Sequence, residues 1–254
     1  MAVIGAIGGL NSGLLGVGGG ITMVPLMVLM AGFTQRRAHA LSLMAMVVIA
    51  SIASVPYVIA GQVRGDWAVA LALGSIGGAQ VGARLLSRAA EGPLKVGFAA
   101  LLLLTAALMV FGHPQGNGAL LGGASLLLVM VVVGVLVGAL SGLLGIGGGI
   151  VMVPFMALVA GGSQQVAQGT SMLVIVPTAL TSSILLARRK VARPADGAVM
   201  GVAGACLGIV GSLIALHLPG QILGWIFAAL ITLVAIRLLR DGVRLLRSGA
   251  SINE

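Results

Sequence analysis

Apolar runs of about 18 to 25 residues, parted by short polar or basic clusters, follow one another along nearly the whole chain. A helix needs about 20 such residues to cross roughly 30 Å of hydrocarbon. The strands of a membrane barrel would alternate apolar and polar positions, and no such alternation is present. The pattern therefore predicts an all-α polytopic membrane protein. Its runs fall into ten pieces: 1–16, 20–32, 39–60, 67–86 and 94–111, then 120–145, 149–161, 168–187, 197–216 and 221–240. The second piece of each five is short for a full crossing and follows a run of glycines.

The two sets of five are copies. Ser12-Gly-Leu-Leu-Gly-Val-Gly-Gly-Gly-Ile-Thr-Met-Val-Pro25 returns as Ser141-Gly-Leu-Leu-Gly-Ile-Gly-Gly-Gly-Ile-Val-Met-Val-Pro154, an offset of 129. The match runs on through Gln35 and Gln164, Ala38 and Ala167, and Ser42 and Ser171. One added residue then aligns Asp66 with Asp196, and Gly74 and Gly78 with Gly204 and Gly208. The division expected is a first membrane repeat over 1–112, an extracytoplasmic linker over 113–119, a second repeat over 120–247 and a cytoplasmic tail over 248–254.

Charge orients the copies. If all ten pieces alternate across the membrane, thirteen of the fourteen basic residues fall on one side and Arg64 alone on the other. Four spans per copy, with the glycines inside one long helix, split them nine to five at best. Basic loops stay cytoplasmic, so the count favours two inverted repeats with both termini inside. It does not separate a re-entrant hairpin at each glycine run from two short full spans.

Composition agrees. The chain is 59% hydrophobic and only 7% charged, with a mean hydropathy of +1.19, where a soluble domain carries about 25% charged residues. In such a chain the net charge of +9 reports topology rather than nucleic-acid binding. Cys206 is the one cysteine, which excludes a disulfide framework and a cysteine metal site. Met1 to Gly16 has no basic start, so no cleaved signal peptide is expected.

Chemistry concentrates at the glycine runs. Gly18, Gly19 and Gly20, like Gly147, Gly148 and Gly149, lead straight into a helix, whose first turn has unpaired N–H groups and a partial positive charge. Without a Cβ a ligand can come close to that backbone. The arrangement suits a small anion, and broken helices of inverted-repeat transporters meet near the midplane in this way. Ser42 and Ser171, with Thr170 beside the latter, are candidate hydroxyl donors, supported by Ser12, Thr22, Ser141, His39 and Gln168. Ser51, Ser54, Thr178, Thr181, Ser182 and Ser183 read instead as hydroxyls bonding their own helix. Gly74, Gly78 and Gly82, and Gly204, Gly208 and Ser212, form small-residue faces for close helix packing. Met23 and Met152 read as core fillers. The five acidic residues all fall in loops or at the tail, so no carboxylate stands mid-helix to carry H+ or Na+.

The doubled G-L-L-G-[VI]-G-G-G-I-x-M-V-P motif, with the A-x-x-x-S stretches at Ala38–Ser42 and Ala167–Ser171, resembles the TauE/SafE family of sulfite and organosulfonate exporters over essentially the whole chain. The resemblance implies a multi-pass inner-membrane transporter of a small inorganic or organic sulfur anion, without enzymatic activity, cofactor or metal. Homo-oligomers are left open. Leu41 stands where the second copy has Thr170, and His39 where it has Gln168, so a fully symmetric site is not expected. Two other classes fit these residues less well. A transition-metal permease lacks clustered His, Cys or carboxylate ligands in its helices. An intramembrane serine protease would need a nucleophile motif that Gly138-Ala-Leu-Ser-Gly142 does not supply.

Overall fold

The computed structural model describes residues 1–85, 91–111, 123–144, 148–188 and 191–250. The first copy comprises α1 (Ala2–Leu15), α2 (Gly20–Ala31), α3 (Gln35–Ala53), α4 (Val55–Ile59), α5 (Gly65–Leu85) and α6 (Glu91–Phe111). The second comprises α7 (Gly123–Leu144), α8 (Gly149–Leu158), α9 (Gln164–Arg188), α10 (Pro194–His217) and α11 (Gly220–Ala250). There is no strand among the described residues. Four stretches there are long and apolar enough to cross a membrane: Gln35–Ile59, Gln164–Arg188, Ala195–His217 and Gly220–Leu246.

Helix starts differ from the hydropathy boundaries because caps set them. α3 and α9 begin at Gln35 and Gln164, four residues before the apolar runs at 39 and 168. Thr34 and Ser163, at matching places in the two copies, accept from the amides of Arg37 and Val166 and satisfy donors of the first turn. At the other end α11 continues to Ala250, so the assigned tail begins inside a helix; 251–254 and the linker 113–119 lie outside the described residues.

The copies interlock. α1 packs along α10 and α5 along α7, so, counting α3 and α4 as the one span Gln35–Ile59, the first helix of each copy lies on the fourth of the other. Glycine allows it: a Cβ on Gly5, Gly9 or Gly13 would overlap the carbonyls of Met200, Gly204 and Gly208. Across the second pair, one on Gly134 or Gly138 would overlap the carbonyls of Leu71 and Ser75. These approaches bear out the small-residue faces as packing surfaces. Their register keeps the 129 offset, since Met200 matches Leu71 and Gly204 matches Ser75. The added residue that aligns Gly74 with Gly204 therefore does not carry over into the packing, because backbone proximity follows helix geometry rather than residue identity.

Helix directions follow from the same neighbours. Gly197, Gly201 and Gly208 of α10 face Met44, Val48 and Ala53 of α3 in rising order, so these two helices run parallel. α9 runs against α3. Tyr57, at the end of the first long span, bonds Gln168 near the start of α9, and the amide of Arg64 donates to Thr170 Oγ1 at 3.0 Å. On one face of the molecule Arg37 meets Asp196 at 3.7 Å. Elsewhere Arg64 stacks over Trp67 and pairs with Asp66 at 2.6 Å, and its hydrogen bonds hold the Asp66 carboxyl below the ordinary carboxylate range.

Candidate functional site

The site is assembled where the glycine runs interrupt the bundle. α1 ends on Gly16, left-handed at φ 68°, whose N–H bonds the Ser12 carbonyl at 2.8 Å. Gly18 and Gly19 follow at φ 83° and 74°, a conformation that costs an L side chain roughly 1–2 kcal/mol. These turns fold the chain back on itself: a Cβ on Gly8 of α1 would overlap Met23 of α2. At 14 and 12 residues, α1 and α2 are about 21 and 18 Å long, each too short for a crossing. Gly18 lies between Met46 and Ile175, each the twelfth residue of a 25-residue span. The hairpin tip thus sits at mid-span, buried among α3 and α9, the only setting in which irregular backbone survives at that depth.

The second break comes to the same place. Gly149, the first residue of α8, has so little room that a Cβ would stand 2.6 Å from the Gly16 carbonyl and 2.7 Å from the Val17 Cα. Gly148 precedes it at φ 74°. Gly147 lies outside the described residues.

Neither short helix has a side-chain cap; the N-cap residues are Gly19 and Gly148. The amides of Thr22 and Met23 bond the Gly19 carbonyl, and those of Val151 and Met152 bond the Gly148 carbonyl. Gly20 and Ile21, and Gly149 and Ile150, precede the first intrahelical bonds, so their N–H groups have no partner within their own helix. The two helix starts, with two such N–H groups each and a dipole behind them, thus lie close to the crossing.

The polar side chains divide. Ser171 is fully buried and donates to the Gly16 carbonyl at 2.8 Å, tying α9 to the break. Ser42, also buried, donates to the His39 carbonyl of its own helix at 3.0 Å. Since each hydroxyl has one proton, both are engaged on backbone in this state. Thr22 donates to Gly19 O at 3.0 Å, and Ser12 points to the Met172 sulfur at 3.6 Å. Thr170 accepts from the Arg64 amide, and Ser141 belongs to α7. Ser51, Thr178 and Thr181 bond the carbonyls four residues back, as expected, and Ser54 that of Ser51, whereas Ser183 Oγ, expected to do the same, is buried without a partner; Thr178 also meets Ser75 across helices at 2.7 Å. Gln168 is fully buried against Gly16, its Cα 2.7 Å from where a Cβ would be.

Two features lay beyond sequence reasoning. Tyr57 is completely buried and reaches both Gly13 O at 2.8 Å and Gln168 Oε1 at 3.2 Å. It is the only tyrosine, the one signal that singled it out. The other is a cavity of about 460 Å³ between α2, the start of α3 and α11 from Leu233 to Leu245. Gln35, His39, Arg237, Asp241 and Arg244 line its polar part, and Gly20 and Ile21 stand at its inner end. The charged wall is helical: Arg237, Asp241 and Arg244 all belong to α11, so Asp241 stands within a helix and not in the loop expected for it.

No curated protein and no solved structure matches the chain. The profile of the family described as Sulfite exporter TauE/SafE matches residues 1–109 and 130–252, on either side of the linker and through both glycine breaks. By sequence over nearly its whole length, and with both breaks buried at mid-span, this membrane protein belongs to the sulfite exporter TauE/SafE family.

Proposed function

We propose that this chain exports a small sulfur oxyanion, sulfite or an organosulfonate, across the inner membrane by alternating access between two inverted halves. The observation that carries the reading is the cavity running from Arg244 and Gln35 down to Gly20. It brings a positively biased wall, two arginines against Asp241, to a helix start with free N–H donors and no side chain in the way. An anion entering there meets Gly18–Gly20, with Gly148 and Gly149 supplying the opposing donors; Gly147 of the same run lies outside the described residues. Ser171 and Ser42 support the site by fixing the surrounding backbone, and Thr170 ties it to the outer loop. Antiparallel α3 and α9, and the exchange of first and fourth helices between copies, support the inverted arrangement. Rocking of one half against the other then opens the crossing to either side.

The direction of transport follows from energetics. An inside-negative potential is worth about 2.3 kcal/mol per charge per 100 mV and drives an anion outward. In proteoliposomes, sulfite efflux is expected to rise with an imposed inside-negative potential and to persist without a proton or Na+ gradient. Strict dependence on either gradient, with no response to potential, would sink potential-driven export.

A further inference from the structure

Two amides on α9 are buried with their donor ends unmatched. Gln168 is 0% exposed and Gln164 7% exposed, and the Nε2 group of each lacks any protein acceptor. The two residues are four apart and share one face of the helix. Gln164 is in the first turn of α9, beside the loop that follows α8. Gln168 is one turn further in, packed on Gly16, and Ser171 continues the same face to the Gly16 carbonyl. A buried donor left unmatched is costly, so a protein that keeps two in line at its central break has a use for them.

Orientation matters as much as burial. An amide offers an acceptor at one end and a donor at the other. Tyr57 Oη lies 3.2 Å from Gln168 Oε1 and shares its single proton between that oxygen and Gly13 O; with the acceptor end of the amide on Tyr57, both Nε2 protons are left for a ligand. The hydroxyl is itself anchored on Gly13 O, one turn before the break. A wall built of N–H donors favours an oxyanion and offers nothing to a metal cation.

We infer that Gln168 and Gln164 are anion-binding residues forming the outer half of the substrate path, and that Tyr57 is a positioning residue that turns the Gln168 amide toward the anion. This rests on the oxyanion reading above. The α2–α11 cavity reaches the crossing from the side of Arg237 and Arg244, whereas the glutamine ladder reaches it from the side of Arg64. The anion passes from backbone N–H groups to side-chain N–H groups as the halves rock.

The test uses the full-length protein in lipid nanodiscs, with sulfite, thiosulfate and sulfoacetate as probes, followed by uptake and efflux in proteoliposomes. Gln168→Leu removes a donor that bonds no protein group together with the Oε1 acceptor, and leaves the Tyr57 proton wholly to Gly13 O. The thermal midpoint of the unliganded protein is expected to hold or rise, while sulfite affinity falls about tenfold or more. Tyr57→Phe is expected to weaken sulfite binding several-fold and to raise KM with less change in kcat. Gln168→Glu, which offers only acceptors, is expected to abolish binding, and Gln168→His, the residue of the first copy, to restore part of it. Gln164→Leu is expected to slow transport with a smaller effect on affinity. Unchanged affinity in Gln168→Leu with a lowered thermal midpoint would make the glutamine structural and overturn the inference alone. If wild-type protein binds none of the three anions, the oxyanion reading falls and takes this inference with it.

Discussion

At Gly149 one hydrogen atom decides whether the two breaks can meet. The atoms that a Cβ would strike there are the Gly16 carbonyl and Val17 Cα, backbone that cannot swing aside as a side-chain tip can. Gly149→Ala is therefore expected to cost about 1–3 kcal/mol and to stop sulfite transport. Gly224→Ala makes the informative contrast, because nothing stands within 4 Å of its added methyl. That variant is expected to be neutral, or more stable by about 0.5–1 kcal/mol from helix propensity. Thermal unfolding in detergent distinguishes the two. Ser171→Ala leaves the buried Gly16 carbonyl without its donor, for an expected loss of about 1–3 kcal/mol in the same measurement. Their matching places in the two copies mark Ser42 and Ser171 in the sequence, but only coordinates show each hydroxyl committed to a carbonyl.

Helix by helix, the bundle is held by close backbone approach rather than by a hydrophobic driving force, which lipid does not supply between spans. α1 on α10 and α5 on α7 are the same contact made twice, so matched substitutions should behave alike. Gly9→Ala and Gly138→Ala each push a methyl into a carbonyl of the partner helix. Both are expected to lower stability by about 1–3 kcal/mol, read as a fall in the thermal midpoint, while Gly77→Ala on α5 has open space and leaves the midpoint unchanged. If only one of the pair were destabilising, the equivalence of the two contacts would be lost. The short elements carry a different lesson. α2 and α8 are brief because left-handed glycines end the chain's climb at mid-span, and their uncapped starts concentrate donors there. Capping them with a serine or aspartate would satisfy those donors from within and leave less for an anion.

Taken as a whole, the molecule sets the basic ends of α3, α10 and α11 against the isolated Arg64. In a Cys206→Ser background, Arg64→Cys is expected to react in intact cells with a membrane-impermeant maleimide, and Arg240→Cys only after the cells are opened. The reverse pattern would invert the orientation, and labelling at both sites from outside would refute it. Cys206 must be replaced first because it is free and exposed on α10.

Much of this architecture was legible in the sequence, for a physical reason. Lipid imposes apolar length on every span, duplication leaves its offset in plain sight, and the membrane potential and insertion machinery sort Lys and Arg to one side. Those constraints act on residue type and spacing, so the helical class, the two copies and the glycine breaks could be read without coordinates. What only the tertiary structure decided is how the copies fit together. Exchange of first and fourth helices, the tip of the first hairpin between Met46 and Ile175, the meeting of Gly16 with Gly149, and the setting of Tyr57 on Gln168 all depend on contacts between residues over 100 apart or on opposite copies. No local pattern encodes them. They arise because helices pack where backbones can approach most closely, and that choice is made among surfaces, not along the chain.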